Sequence, residues 1–150
     1  MKRDERIQKA RELFLQGYNC SQAVFCAFAQ DYGIEPEQAL RLSASFGGGI
    51  GRMRGTCGAV CGAAMVIGLK TGQTQPGDSD AKQENYRAVQ HLADEFRRMN
   101  GSIKCSELLK IRKDAPLTPC PDERTAEYSR QRPCLRMVES AVELLVQDNY

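Results

Sequence analysis

The chain has one histidine, no Cys-x-x-Cys pair, a net charge of only +2 and only short apolar runs such as Ala63–Leu69. Each shortage removes a class of function. A lone histidine rules out a Cys2His2 zinc site. Without Cys-x-x-Cys, neither a thioredoxin-type motif nor a zinc ribbon can be read from local spacing. The longest apolar run is far too short to cross a bilayer, so no membrane insertion is expected. The small net charge does not suggest nucleic acid or an anionic membrane as a partner. The N-terminus, Met1-Lys2-Arg3-Asp4-Glu5-Arg6, is charged, and no apolar h-region follows it. It does not read as a signal peptide, and the cytoplasm is the expected location. No convincing strand, low-complexity tract or internal repeat is present.

What is present is a chain of 150 residues, 41% hydrophobic and 27% charged, long enough for one domain with a real core. It carries seven cysteines. A secreted disulfide scaffold is usually shorter, with an even count. In a reducing compartment so many thiols point to redox chemistry or metal ligation.

The apolar residues recur with helical period. Ile7, Ala10, Leu13 and Phe14 mark a helix from Arg6 to Gly17. Asn19 caps a second, Cys20 to Tyr32, with Cys20, Ala23, Val24, Ala27 and Phe28 inward and Cys26 off the stripe. Pro36 opens a third, Glu37 to Phe46. A glycine loop follows, then a helix from Cys57 to about Lys70. Asp80 or Ser79 caps a long helix, Ala81 to Met99. A short one covers Cys105 to Ile111. Residues Asp114 to Asp122 are irregular, and Glu123 to Gln131 is weakly helical. Pro133 starts a terminal helix ending near Gln147. The expected fold is all-α: a single-domain helical bundle of about six helices over residues 1–150, with a glycine-rich loop before a cysteine-bearing helix.

That loop, Gly47 to Gly55, runs through Thr56 into Cys57-Gly58-Ala59-Val60-Cys61-Gly62. Thr56 is a good N-cap, which makes Cys57 the first helical residue. A sulfur there feels the positive helix end, which favours the thiolate, and Arg52 and Arg54 push the same way. Cys57 is therefore expected to ionise below the free-cysteine value of about 8.5. The loop is not a phosphate loop, since it lacks the Gly-Lys-Ser/Thr ending, and no strand precedes it for a dinucleotide site.

Cys20, Cys57, Cys105 and Cys134 each sit in the first turn of an expected helix and begin its apolar stripe. Counting chain reversals through short antiparallel connections places all four helix starts at one end of the bundle. Sites 37, 48 and 29 residues apart would then form one sulfur cluster. Helix starts offer free amides and positive potential, which suit thiolates and anionic clusters. Cys26, Cys61 and Cys120 look secondary, and Cys120, between two prolines, should be exposed. His91 reads as a helix-flank residue. Tyr18 is close enough in sequence to reach a sulfur, but core packing suits it better.

The segments Asn19-Cys20-Ser21-Gln22-Ala23-Val24, Cys57 to Gly62, Gly101 to Leu109, and Cys134 with Val138 to Leu145 together resemble the C_GCAxxG_C_C family of redox-active proteins. The Cys57 register fits that family's Cys-Gly-Ala-x-x-Gly core. A Cys61 register would put Val66 where the last glycine belongs. The additional Cys61 inside the motif is a departure from the pattern. The resemblance implies a small helical protein with thiol-based redox function. Two chemistries fit the four cysteines. In the first, Cys57 attacks and Cys20, Cys105 or Cys134 resolves, in dithiol–disulfide exchange that needs no cofactor. In the alternative, Cys20, Cys57, Cys105 and Cys134 are ligands to an iron–sulfur cluster or a zinc ion. A redox partner is implied without being specified, and a homodimer is compatible with the sequence.

Overall fold

Helix α1 (Arg3–Leu15) turns Arg6, Ala10 and Phe14 inward, a spacing of four residues that keeps them on one face. Arg6 is a buried cation with every need met. Its guanidinium donates to the Ala27 carbonyl and the Asp31 carboxylate and lies 4.5 Å from the centre of the Phe28 ring. The chain is described here by a computed structural model covering residues 1–150, with eight α-helices and no strand. Two of the eight have only four and six residues, which accounts for the excess over the six expected.

Asn19 caps α2 (Cys20–Cys26): its side chain accepts from the Gln22 amide, and the Gln22 side chain accepts from the Asn19 amide. This reciprocal cap fixes where the helix starts. The helix stops earlier than its apolar stripe. Arg6 takes the Ala27 carbonyl out of the helical ladder, and the chain tightens into a 3-10 turn over Ala29–Tyr32 that ends at Gly33 in the left-handed region. Pro36 opens α3 (Pro36–Ala44). Helix α4 (Gly58–Thr71) is apolar nearly all round and lies at the centre, against α2, α5 and α8. Asp78, rather than Ser79 or Asp80, caps α5 (Ser79–Asn100) through the Ala81 amide. Then come α6 (Cys105–Leu108), α7 (Ala126–Gln131) and α8 (Cys134–Gln147).

One core of 23 buried residues joins these helices, with Phe25, Phe28, Ile67, Leu92, Phe96, Met137 and Leu145 among its largest members. Its closest seam is between α2 and α4. A Cβ at Gly62 would lie 2.7 Å from the Ser21 carbonyl oxygen and 3.1 Å from Val24 Cβ. Glycine there lets the two backbones meet.

The loop before α4 is built against the usual chirality. Gly48, Gly49, Ile50, Gly51 and Arg52 all have φ between 58° and 73°. Five left-handed residues in a row reverse the chain tightly, closed by bonds from the Gly51 amide to the Ser45 carbonyl (2.7 Å) and the Arg52 amide to the Gly47 carbonyl (3.2 Å). Glycines take this at little cost, whereas Ile50 and Arg52 each lose about 1–2 kcal/mol. Arg54, at φ 63°, adds to that strain.

Candidate functional site

The starts of α2, α4, α6 and α8 meet at one cavity of about 770 Å³, and Cys20, Cys57, Cys105 and Cys134 all line it. The placement of Cys57 and Cys105 comes from a contact the helical reading lacks. Thr56 and Lys104 form an isolated antiparallel bridge, flanked by bonds from the Cys57 amide to the Ile103 carbonyl and from the Cys105 amide to the Gly55 carbonyl, both 2.7 Å. Residues on either side of an antiparallel pair point to the opposite face from it. Cys57 and Cys105, each one step past the bridge, therefore share a face as diagonal neighbours, with a Cα separation of roughly 7–8 Å.

The bridge also corrects the start of the cysteine helix. Thr56 is held extended and does not cap it; Cys57 itself is the N-cap, and α4 begins at Gly58. Its side chain makes no capping bond. Two glycines clear space for the other sulfurs. A Cβ on Gly58 would sit 2.4 Å from Cys20 Sγ, and one on Gly49 would sit 2.7 Å from Cys105 Cβ. The glycine of the Cys-Gly-Ala motif thus makes room for a cysteine 38 positions earlier.

Burial works against the low pKa expected of Cys57. Cys57 is 5% exposed, and burial pushes its thiol well above the ordinary cysteine range. The negative charge of Cys20, and more weakly of Cys105, adds to that shift, while the Ala59 and Val60 amides oppose it. Burial acts the same way on Cys20, pushed up to about 11, with charge on Cys134 and Cys105 contributing and the Gly48 amide opposing. Cys134 is also raised by burial, against a hydrogen bond from Tyr128. Nor do the loop arginines fold over Cys57. Arg54 donates to Cys105 Sγ at 3.6 Å, and Arg52 turns to the Thr118 carbonyl (2.6 Å) and Asp122 (3.1 Å).

The sequence reading missed the far wall. Arg52, Arg54 and Arg132 gather on the single Asp122 carboxylate, at 3.1, 3.9 and 3.3 Å. Arg124 caps α1 from outside, donating to the Phe14 and Tyr18 carbonyls above the Phe14 ring. Tyr128, not Tyr18, is the tyrosine beside a cysteine sulfur. Asp122, Arg124, Tyr128 and Arg132 come from residues 122–132, where no apolar period signals an inward face. Isolated arginines there read as solvated surface.

The remaining candidates lie elsewhere. Cys26 is half-buried near the Ser43 hydroxyl (3.9 Å), Cys61 faces the Thr56 carbonyl (3.7 Å), and Cys120 is exposed. His91 sits on the outer flank of α5, 3.7 Å from Asp148. The chain presents no group of three or more Cys, His, Asp or Glu side chains arranged to hold a metal ion. The four cavity cysteines therefore share a chamber without forming a ligand set as they stand. No helix is long and apolar enough to cross a membrane. No curated protein and no solved structure matches the chain. A family model described as "Putative redox-active protein (C_GCAxxG_C_C)" matches residues 18–147, a span that includes all four cavity cysteines, so the chain belongs to the C_GCAxxG_C_C family.

Proposed function

We propose that the protein carries out dithiol–disulfide exchange in its cysteine cavity, in a reducing compartment such as the cytoplasm. The observation that carries this reading is the meeting of Cys20, Cys57, Cys105 and Cys134 in one chamber lined by arginines. Cys105 takes the attacking role first assigned to Cys57. The Arg54 guanidinium lies against its sulfur and stabilises negative charge developing there. Charge on Cys105 is also felt by Cys20, Cys57 and Cys134, so each of these three lies close enough to it to be coupled electrostatically.

The exchange balances without a cofactor. The Cys105 thiolate attacks one sulfur of a disulfide R–S–S–R, forming a mixed disulfide and expelling R–S⁻, which takes a proton from solvent. Cys20, Cys57 or Cys134 then loses its proton and attacks the Cys105 sulfur, releasing the second R–S⁻. The protein dithiol is oxidised by two electrons and the substrate disulfide reduced by two. A protein or small-molecule redox partner returns the cavity to the dithiol state by the reverse steps.

The test is to oxidise the reduced protein with a limiting amount of a small disulfide and map the products by peptide mass spectrometry. Cys105 should appear in the first mixed disulfide and in the internal disulfide that follows. A Cys105→Ser protein should lose both, and Arg54→Gln should slow the first. Metal analysis of anaerobically purified protein accompanies the mapping. Stoichiometric iron or zinc, with Cys105 unreactive until the metal is removed, would replace exchange with ligation.

A further inference from the structure

We infer that the cavity takes a small disulfide bearing carboxylates, bound through Arg52, Arg54 and Arg132. This rests on the exchange chemistry proposed above and names its substrate class.

Size favours a small molecule over a protein disulfide. A chamber of about 770 Å³ falls within the roughly 300–1,000 Å³ of small-ligand sites. Cys57 and Cys105 are 5% and 7% exposed and set back inside it, out of reach of a disulfide on a rigid protein surface.

Charge favours an anion. Four guanidinium groups, from Arg52, Arg54, Arg124 and Arg132, line the cavity, and Asp122 is the one carboxylate there. That excess of positive charge is greater than the net charge of the whole chain, +2, so the cavity holds charge that the rest of the surface does not. Asp122 alone faces three of these arginines, all within 4 Å. A guanidinium can engage a carboxylate through two parallel bonds, and three of them sharing one carboxylate leave donors free. The Arg52 and Arg54 side chains are only 18% and 14% exposed, so water screens them poorly. An incoming carboxylate satisfies the free donors or displaces Asp122, which is 38% exposed and sits on an irregular segment. Arg54 connects the two functions, since it reaches both this cluster and Cys105 Sγ. A carboxylate held there places the substrate's sulfurs over Cys105.

Three disulfides of similar length and different charge test the inference: 3,3′-dithiodipropionate (two negative charges), bis(2-hydroxyethyl) disulfide (neutral) and cystamine (two positive charges). The rate at which each oxidises the reduced wild-type protein is divided by its rate with dithiothreitol, which removes intrinsic reactivity. The dianion should be preferred over the neutral compound by about tenfold or more at low salt, and the dication disfavoured. Added salt to 0.5 M should compress the series. Arg52→Gln/Arg132→Gln should reduce the preference, lowering the dianion's normalised rate more than the neutral compound's, and Asp122→Asn should increase it. If the normalised rates are equal, or cystamine leads, the substrate class is wrong while exchange survives. If none of the three oxidises the cavity, the exchange reading and this inference both fall. The wild-type series stands even if an arginine variant fails to fold.

Discussion

At the scale of single residues, Cys57 sets two effects against each other. A helix start favours a negative group by about 0.3–1 kcal/mol, and by about 2 kcal/mol in good partly buried geometry. Full burial can shift an ionisable group by roughly 3–5 pKa units, several times as much. Burial wins at Cys57. In the reduced, folded protein Cys57 should therefore alkylate far more slowly than exposed Cys120 near neutral pH, and speed up only on unfolding. Timed labelling with iodoacetamide and peptide mapping reads this directly, and rapid labelling of folded Cys57 would contradict it. Ser21 is the reverse case, a polar atom with nothing to gain. Its hydroxyl is fully buried and has no hydrogen-bond partner. Ser21→Ala should leave the protein as stable as before or more stable by about 1 kcal/mol, measured by urea unfolding. A loss of 1 kcal/mol or more would mean the hydroxyl has a partner after all.

At the scale of elements, the α2–α4 seam is where one methyl group matters most. Gly62→Ala places a Cβ 2.7 Å from the Ser21 carbonyl oxygen, which is backbone and cannot swing aside. The helices must separate, at a cost of about 1–3 kcal/mol in chemical denaturation, and Cys20 moves with α2. An unchanged midpoint would show that the seam is loose. Much of this level was legible in the sequence. The 3.6-residue period marked the helices, Asn19 marked the start of α2, and counting chain reversals brought four helix starts to one end. The Thr56–Lys104 bridge was not legible, because a single pair of extended residues leaves no alternation to read. Missing it shifted the start of α4 by one residue and gave Thr56 the cap that Cys57 occupies. The arginine wall was hidden for a related reason. Arg124 is held by the carbonyls of Phe14 and Tyr18, more than 100 residues away, and Arg132 by Asp122 on an irregular segment, and neither kind of partner imposes a local pattern.

At the scale of the whole molecule, the buried thiols tie stability to alkalinity. Cys20, Cys26, Cys57, Cys61 and Cys134 are all raised from 9.0 by burial. Their stabilising contribution is complete below pH 9, where both folded and unfolded chains keep these thiols protonated. It is lost as pH rises from 9 toward the folded values, about 11 for Cys20, because the unfolded chain gives up protons first. The melting temperature of the reduced protein should be flat from pH 7 to 8 and fall between pH 9 and 10.5. A flat curve to pH 10.5 would contradict the burial of these groups. The wide spacing of the cavity's four contributors also has a consequence in time. Cys20 leaves the ribosome 114 residues ahead of Cys134, the last to arrive. At about 5–20 residues per second that is a wait of roughly 6–23 s, during which the early cysteines lack their final enclosure. In the reducing compartment proposed above, their protection from stray oxidation during synthesis comes from the surrounding thiol pool, and only afterwards from the fold.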